Sequence, residues 1–491
     1  NDTTETLMRS ALDGRGTLSQ LCDLDLEGGP LAVKRQAAKV FIAILSFCAL
    51  VGPLWANRAA HLIREAEAAY AQGALSSAQS LFERAAKLEP SSLVAHFNLG
   101  QVLRQLKKYP EAIEAFSRAL TINPQHRDSL CNRGLLYQLT GRYDEALADL
   151  DSAISVDKDF VQGYISRGFI KSTRGLREEA IADFTMAIKL SPRSADAYFN
   201  RGVTYREMGD LAASLSDLSR TITISPKDHE ALLERGLVFQ GLGRPAEALA
   251  DFDKAIELNS NSAAAYSHRG QIQIGLARYA AALADLADAI RLDDQNFEAY
   301  LHRGHVFRIR NETGRALDDY ERAIQLQPSS VEAWLHRAYL LHQIGRTTEA
   351  LKHYSRVIEM EPKNVSALRN RAVIRLAAGK VKVAMRDLNR AVELEPQKGD
   401  HYYNRGVAYR QLKEYDKAIA DFSSALAAKP RDPDYLVNRG FCYEKQGRLG
   451  KALADFTKAC TVAPGNAVAR YNRGRLHLRQ GNLQSALTDL S

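Results

Sequence analysis

Five histidines, His268, His302, His305, His336 and His342, fall in one stretch of the chain, and imidazoles at that density raise the question of a bound metal ion. Three of them, His268, His302 and His336, recur at intervals of 34 residues. Equivalent positions on stacked helices stand about 8–10 Å apart, too far for ligands that must each lie about 2.1 Å from one ion. His302 and His305, three residues apart, are the only two spaced to pair, so no metal site is expected. The five cysteines, Cys22, Cys48, Cys131, Cys442 and Cys460, are odd in number, scattered and free of C-x-x-C spacing, which argues against a zinc site and a disulfide framework alike. No phosphate-cradling glycine loop, nucleophile elbow or H-E-x-x-H pair occurs, so neither catalytic residues nor a cofactor is expected and the chain does not read as an enzyme.

A second recurrence is charged. Arginine fills eleven successive places 34 residues apart, from Arg133, Arg167 and Arg201 to Arg439 and Arg473. Sixteen residues after each stands an aspartate, Asp149 through Asp489, except that Arg337 is followed by His353. The two equivalent places before this run lack both partners, having Glu65 with Leu81 and Leu99 with Ala115. A partly buried guanidinium needs a partner. The shared pattern therefore predicts Arg–Asp pairs that bridge two helices, or one repeat to the next, and set register rather than adding much net stability. The functional alternative is an arginine ladder for phosphates. With the pairs formed, much of the positive charge behind the net +8 is matched locally, the excess is spread thinly, and nucleic acid is not an expected partner.

The elements that must hold these columns follow from the same interval. From Ala59 a 34-residue unit runs in unbroken phase, giving twelve full copies up to Asn466 and a shortened thirteenth, Ala467–Ser491. Position 8 is Gly in ten copies, as at Gly100, Gly236 and Gly406, and position 20 is Ala in all but one, so two helices must approach closely there. Position 24 is always Phe, Tyr or Leu, and position 4 is usually Leu or aromatic, including Trp334; these fill the space between helices. Gly at position 15, as at Gly141 and Gly209, predicts a left-handed stop to the first helix, and Pro at position 32 punctuates the second.

These positions resemble the tetratricopeptide repeat family over residues 59–491. The resemblance implies an all-α fold: an α-solenoid of antiparallel helix pairs forming a right-handed superhelix, with the first helix of each pair (A) lining a concave groove and the second (B) outside. It also implies that positions 2, 5, 6, 9, 12 and 13 of helix A face the groove, where ligand peptides lie. Position 6 there is Asn98, Asn132, Asn200, Asn370, Asn404, Asn438 and Asn472. Each amide offers a donor and an acceptor. Such a column can hold the backbone of an extended peptide, similar to the asparagine ladders of O-GlcNAc transferase repeats and importin-alpha armadillo arrays; the other reading is that the amides cap or cross-link neighbouring A helices. Positions 5 and 9 add Phe97, Phe169, Phe199, Tyr339, Tyr403, Phe441 and Tyr471, position 12 adds Arg104, Arg206, Arg308 and Arg410, and position 2 is acidic from Asp128 to Asp434 in seven copies. Anchors with both signs of charge suit protein or peptide partners. The clamp by which some relatives hold chaperone C-terminal tails is absent: Arg369 with Asn404 comes nearest, but Val373, Asp434 and Asn438 stand where it needs other residues.

Ahead of the repeats, residues 1–36 read as poorly structured and 37–58 as an apolar helix. Residues 40–55, VFIAILSFCALVGPLW, carry no charge; as a helix they would extend about 24 Å, short of a hydrocarbon core of about 30 Å. They suit a cap on the open end of the first repeat, with a membrane segment as the alternative. The expected function is a non-catalytic interaction scaffold in the cytoplasm that binds extended segments. The alternatives are a membrane-anchored receptor with the same groove, or the regulatory portion of a larger enzyme. A start at Asn1 and an end at Ser491 inside a predicted helix suggest a processed product or part of a longer chain.

Overall fold

The computed structural model describes residues 57–491, which form twenty-six helices and no strand. The expectations for residues 1–36 and for the apolar segment 40–55 lie outside the described residues. Among those described, no helix is long and apolar enough to cross a membrane.

Each repeat is an A helix of mostly 13 residues and a B helix of mostly 14, as in Gly399–Gln411 followed by Tyr415–Ala428. The last residue of the preceding repeat starts most A helices: the side chain of Ser194 accepts from the Ala197 amide at 3.3 Å, and Asp228 accepts from Glu230 and Ala231. These caps satisfy backbone donors that have no partner inside the helix. At position 15 the chain turns with positive φ, at Gly209 (84°) and also where the residue is not glycine, at Lys107, Ala277, Asn311 and Lys413. The turn geometry is thus imposed by the packed helix pair even where the side chain disfavours it.

The helices meet through small residues. The alanines of position 20 are buried from Ala78 to Ala486, and a Cβ placed on Gly236 or Gly406 would stand 2.5 or 2.8 Å from the ring of Phe252 or Phe422 at position 24. The aromatic at position 24 therefore sits directly against the bare backbone of position 8, the close contact that the spacing predicts. The chain divides into two compact units, ending at Pro226 and starting at Lys227. Within each unit an A helix packs on its own B helix, on the preceding B helix and on its neighbouring A helices. Within each unit the A helices thereby present a continuous side-chain face.

Candidate peptide-binding face

Positions 6 and 7 are adjacent on helix A and point to different surroundings. Position 7 turns toward helix B. Arg405 donates from Nε and Nη2 to the two carboxylate oxygens of Asp421, both at 2.8 Å, and the same two-pronged bond forms in ten repeats from Arg133–Asp149 to Arg473–Asp489. The carboxylates are buried, and the guanidinium is flanked by aromatic rings, Tyr402 and Tyr409 in the case of Arg405. Hydrogen bonding to the aspartate holds the guanidiniums of Arg405 and Arg439 above their usual range. The pairing expected from the sequence is therefore present, and these arginines are spent on the fold.

The third arm of the guanidinium had no signal in the pairing pattern. Nη1 reaches back sixteen residues to position 25 of the preceding repeat: Arg133 to Ser117 (2.9 Å), Arg167 to Asp151 (2.6 Å), Arg269 to Asp253 (2.6 Å) and Arg439 to Ser423 (3.1 Å). One side chain thus ties helix A to its own helix B and to the helix B before it. Position 25 is Ser, Thr, Asp, Glu or Asn, all acceptors, in every repeat but one, where Ala287 precedes Arg303, so the column by itself did not announce the contact. The odd rung behaves differently. Arg337 Nη1 donates to His353 Nε2 at 3.0 Å and pairs with Glu321 at 2.6 Å. Burial first, then Arg337, push the His353 imidazole down to about 4, so it is a neutral acceptor.

Position 6 looks out along the A-helix face, where all seven asparagines are half-buried. Asn132, Asn200, Asn404, Asn438 and Asn472 each donate an N–H to the carbonyl oxygen four residues earlier in their own helix, at 2.7–2.9 Å. That bond fixes the amide's orientation. Among the described residues no bond is made to the Oδ1 of Asn132, Asn200, Asn404 or Asn438. Asn98 donates to Glu67 (3.3 Å) and Asn438 also to the Tyr403 hydroxyl (3.3 Å), so these two cross-link neighbouring A helices. The structure thus anchors five of the seven amides by one hydrogen each and leaves the carbonyl oxygens of four of them open, Asn472 Oδ1 accepting from Arg475 at 3.5 Å.

Around this column the anchors differ in availability. Tyr339 is exposed (40%), whereas Phe199 and Tyr403 are half-buried, Tyr403 stacking on Tyr435 at 4.8 Å. Arg410 lies over the Phe441 ring at 5.3 Å, and Arg308 and Arg206 are half-buried. In the first unit a cavity of about 450 Å3 opens on this face, lined by Phe169, Phe184, Asn200, Val203 and Thr204. The acidic stripe at position 2 is not uniformly open. Asp400 accepts from the Tyr435 hydroxyl and pairs with Lys429 at 2.7 Å, Lys429 foremost holding its carboxyl below the usual range. Tyr435, at position 3, and Lys429, in the inter-repeat turn, were not read as part of this face.

The histidines also pair differently from expectation. The ring contact formed is His305 with His336 of the next A helix, 5.8 Å between centroids, rather than His302 with His305. The stacking of successive A helices brings position 9 of one beside position 6 of the next. Among the described residues no group of three or more His, Cys, Asp or Glu could hold a metal ion. Cys131 and Cys442 are buried, which pushes their thiols up to about 11 and about 12, far from a reactive thiolate.

Comparison with known proteins follows the same frame. A tetratricopeptide repeat family model matches residues 63–127 and, in overlapping stretches, 269–490, more than half of the chain; further models of the same repeat match 128–160, 174–209, 195–228 and 229–262. No curated protein sequence matches. Solved structures with partial overlap include a tetratricopeptide repeat protein from Parabacteroides merdae (21% identity, 51% of this chain and 98% of that one, TM-score 0.43). Others are the APC/C hetero-tetramer Cut9–Hcn1 (14%, 85% and 96%, 0.44) and YrrB, described as a TPR protein with an unusual peptide-binding site (18%, 38% and 95%, 0.32). The family match and the helix pairs agree: the chain belongs to the tetratricopeptide repeat family, and its repeats are those of a protein-interaction scaffold.

Proposed function

We propose that this chain is a non-catalytic scaffold that holds extended peptide segments along its A-helix face, gripping their backbone through the position 6 asparagines. The observation that carries this reading is the state of the amides. Asn404 and Asn438 are half-buried and oriented by a bond to their own helix, yet keep an open carbonyl oxygen. A preorganised acceptor costs little to present to a peptide N–H. Phe199, Tyr339 and Tyr403 supply apolar contact beside the column, and Arg206, Arg308 and Arg410 supply positive charge.

The test is selection of 20-residue peptides from a random library on the full chain. Affinities of the selected peptides are then compared with those for Asn404→Ala with Asn438→Ala, and for a B-helix control, Arg390→Ala. A loss of about tenfold or more, in line with two hydrogen bonds, is expected in the double variant alone. Equal affinity in all three proteins rejects the reading.

A further inference from the structure

One shortened side chain opens the cavity of the first unit. Position 12 is Ser172 on the A helix Val161–Thr173 and a longer residue in each of the other twelve repeats. At two of these the longer side chain closes the gap to position 9 of the next A helix: Gln240 donates to Gln271 at 2.8 Å, and Arg410 lies over the Phe441 ring. Ser172 is too short to do so. About 450 Å3 stays open between Val161–Thr173 and the next A helix, Ala195–Met208, enough for one large side chain.

The lining sets the chemistry of what fits. The exposed Phe169 and the half-buried Val203 form apolar walls, backed by the buried Phe184 ring. The hydroxyl protons are already engaged. Thr204 donates to the Asn200 carbonyl oxygen (2.8 Å), which leaves Ser172 as the donor in its 3.2 Å contact with the Thr204 hydroxyl, and Thr173 donates to the Phe169 carbonyl oxygen (3.0 Å). Asn200 gives one N–H to Asp196 and keeps Oδ1 unbonded. The cavity therefore presents mainly acceptors, and a guest must bring the donor. That guest is uncharged. The charged residues of the lining, Arg177 and Glu207, pair with each other at 3.4 Å, and an unmatched charge entering among the rings would lose its hydration without compensation.

We infer that this cavity is an anchor pocket for one aromatic side chain that carries a donor, the O–H of tyrosine or the N–H of tryptophan. The ring packs against Phe169 and Phe184, and the donor meets Asn200 Oδ1. This rests on the peptide-binding reading above and supplies what a backbone grip lacks. A column of amides holds an extended chain without reading its side chains, whereas a pocket beside one rung selects the residue there and fixes the register of the bound segment. The partner that fits the first unit is an extended segment bearing an accessible Tyr or Trp.

The probe is N-acetyl-tyrosinamide, titrated into the full chain with carbon-13 label in its valine methyls and read by NMR at Val203. A saturable shift of Val203 is expected. N-acetyl-phenylalaninamide, which differs only by the missing hydroxyl, should bind about fivefold more weakly, in line with one hydrogen bond. Asn200→Ala should bring the two probes level. Ser172→Leu, which fills the cavity, should weaken both by roughly tenfold or more. Leucine is the natural residue at position 12 in two other repeats, Leu376 and Leu478, and circular dichroism checks that the variant folds. The pocket is overturned by any of four results: no saturable Val203 shift, N-acetyl-lysinamide binding as tightly as the tyrosine probe, a tyrosine preference that survives Asn200→Ala, or wild-type affinity in Ser172→Leu. A single-residue probe cannot span two rungs, so these results stand apart from the peptide selection above, whose failure rejects the backbone grip instead.

Discussion

Two polar columns stand one residue apart on the same helices and meet opposite fates. At position 7 the guanidiniums are bonded twice to their own B helix, several, such as Arg133, reach the preceding B helix as well, and their carboxylates are buried. At position 6 the amides are half-buried and bonded mainly to their own helix. One residue along a helix is a rotation of about 100°, enough to move a side chain from the A–B interface to the open face. A repeated polar residue is therefore not by itself a sign of function; what lies opposite decides. The arginine ladder is a device of the fold, and the asparagine column is the part that the proposed function gives to a partner.

The largest expected effect tests the first half of that contrast. Asp421→Ala leaves Arg405 partly buried without its partner and should cost roughly 3–5 kcal/mol, while Arg405→Leu with Asp421→Leu should cost much less. Chemical denaturation combined with hydrogen exchange over Gly399–Ala428 reads both, and equal losses in single and double variants would mean that the pair is not a unit. A smaller effect is expected from the spacing that lets the pair form. Gly406→Ala puts a methyl 2.8 Å from the Phe422 ring and should cost about 1–3 kcal/mol, whereas Gly450→Ala, with nothing within 4 Å, should cost none.

The odd rung sharpens the contrast through pH. His353 binds its proton more weakly in the folded chain, so the unfolded chain takes up protons first as pH falls. Its contribution is complete above the ordinary histidine value of 6.5 and is lost as pH falls toward about 4. His353→Asp, which restores the two-pronged partner, should flatten that part of the stability profile by about 1 kcal/mol, measured as denaturation midpoints between pH 7 and 4. The smallest expected effect belongs to position 6. Asn404→Ala removes one bond to the helix's own backbone and should change stability by less than about 1 kcal/mol in the same denaturation assay. A loss as large as that of Asp421→Ala would make the asparagine column structural and erase the difference between the columns.

Much of this was legible without coordinates, because a repeat shows each local rule thirteen times. Gly at position 8 opposite Phe, Tyr or Leu at position 24 announced a close helix contact, and Arg sixteen residues before Asp, absent together in the first two copies, announced the pair. The identity of those partners depends only on positions within one unit, which the 34-residue interval preserves. What the tertiary structure alone decided lies between units: the third arginine arm to position 25 of the repeat before, Tyr435 and Lys429 on Asp400, and His305 beside His336 rather than His302. Those contacts depend on the offset and rotation with which one helix pair stacks on the next. That stacking arises from packing summed over many side chains, so no single recurring residue records it.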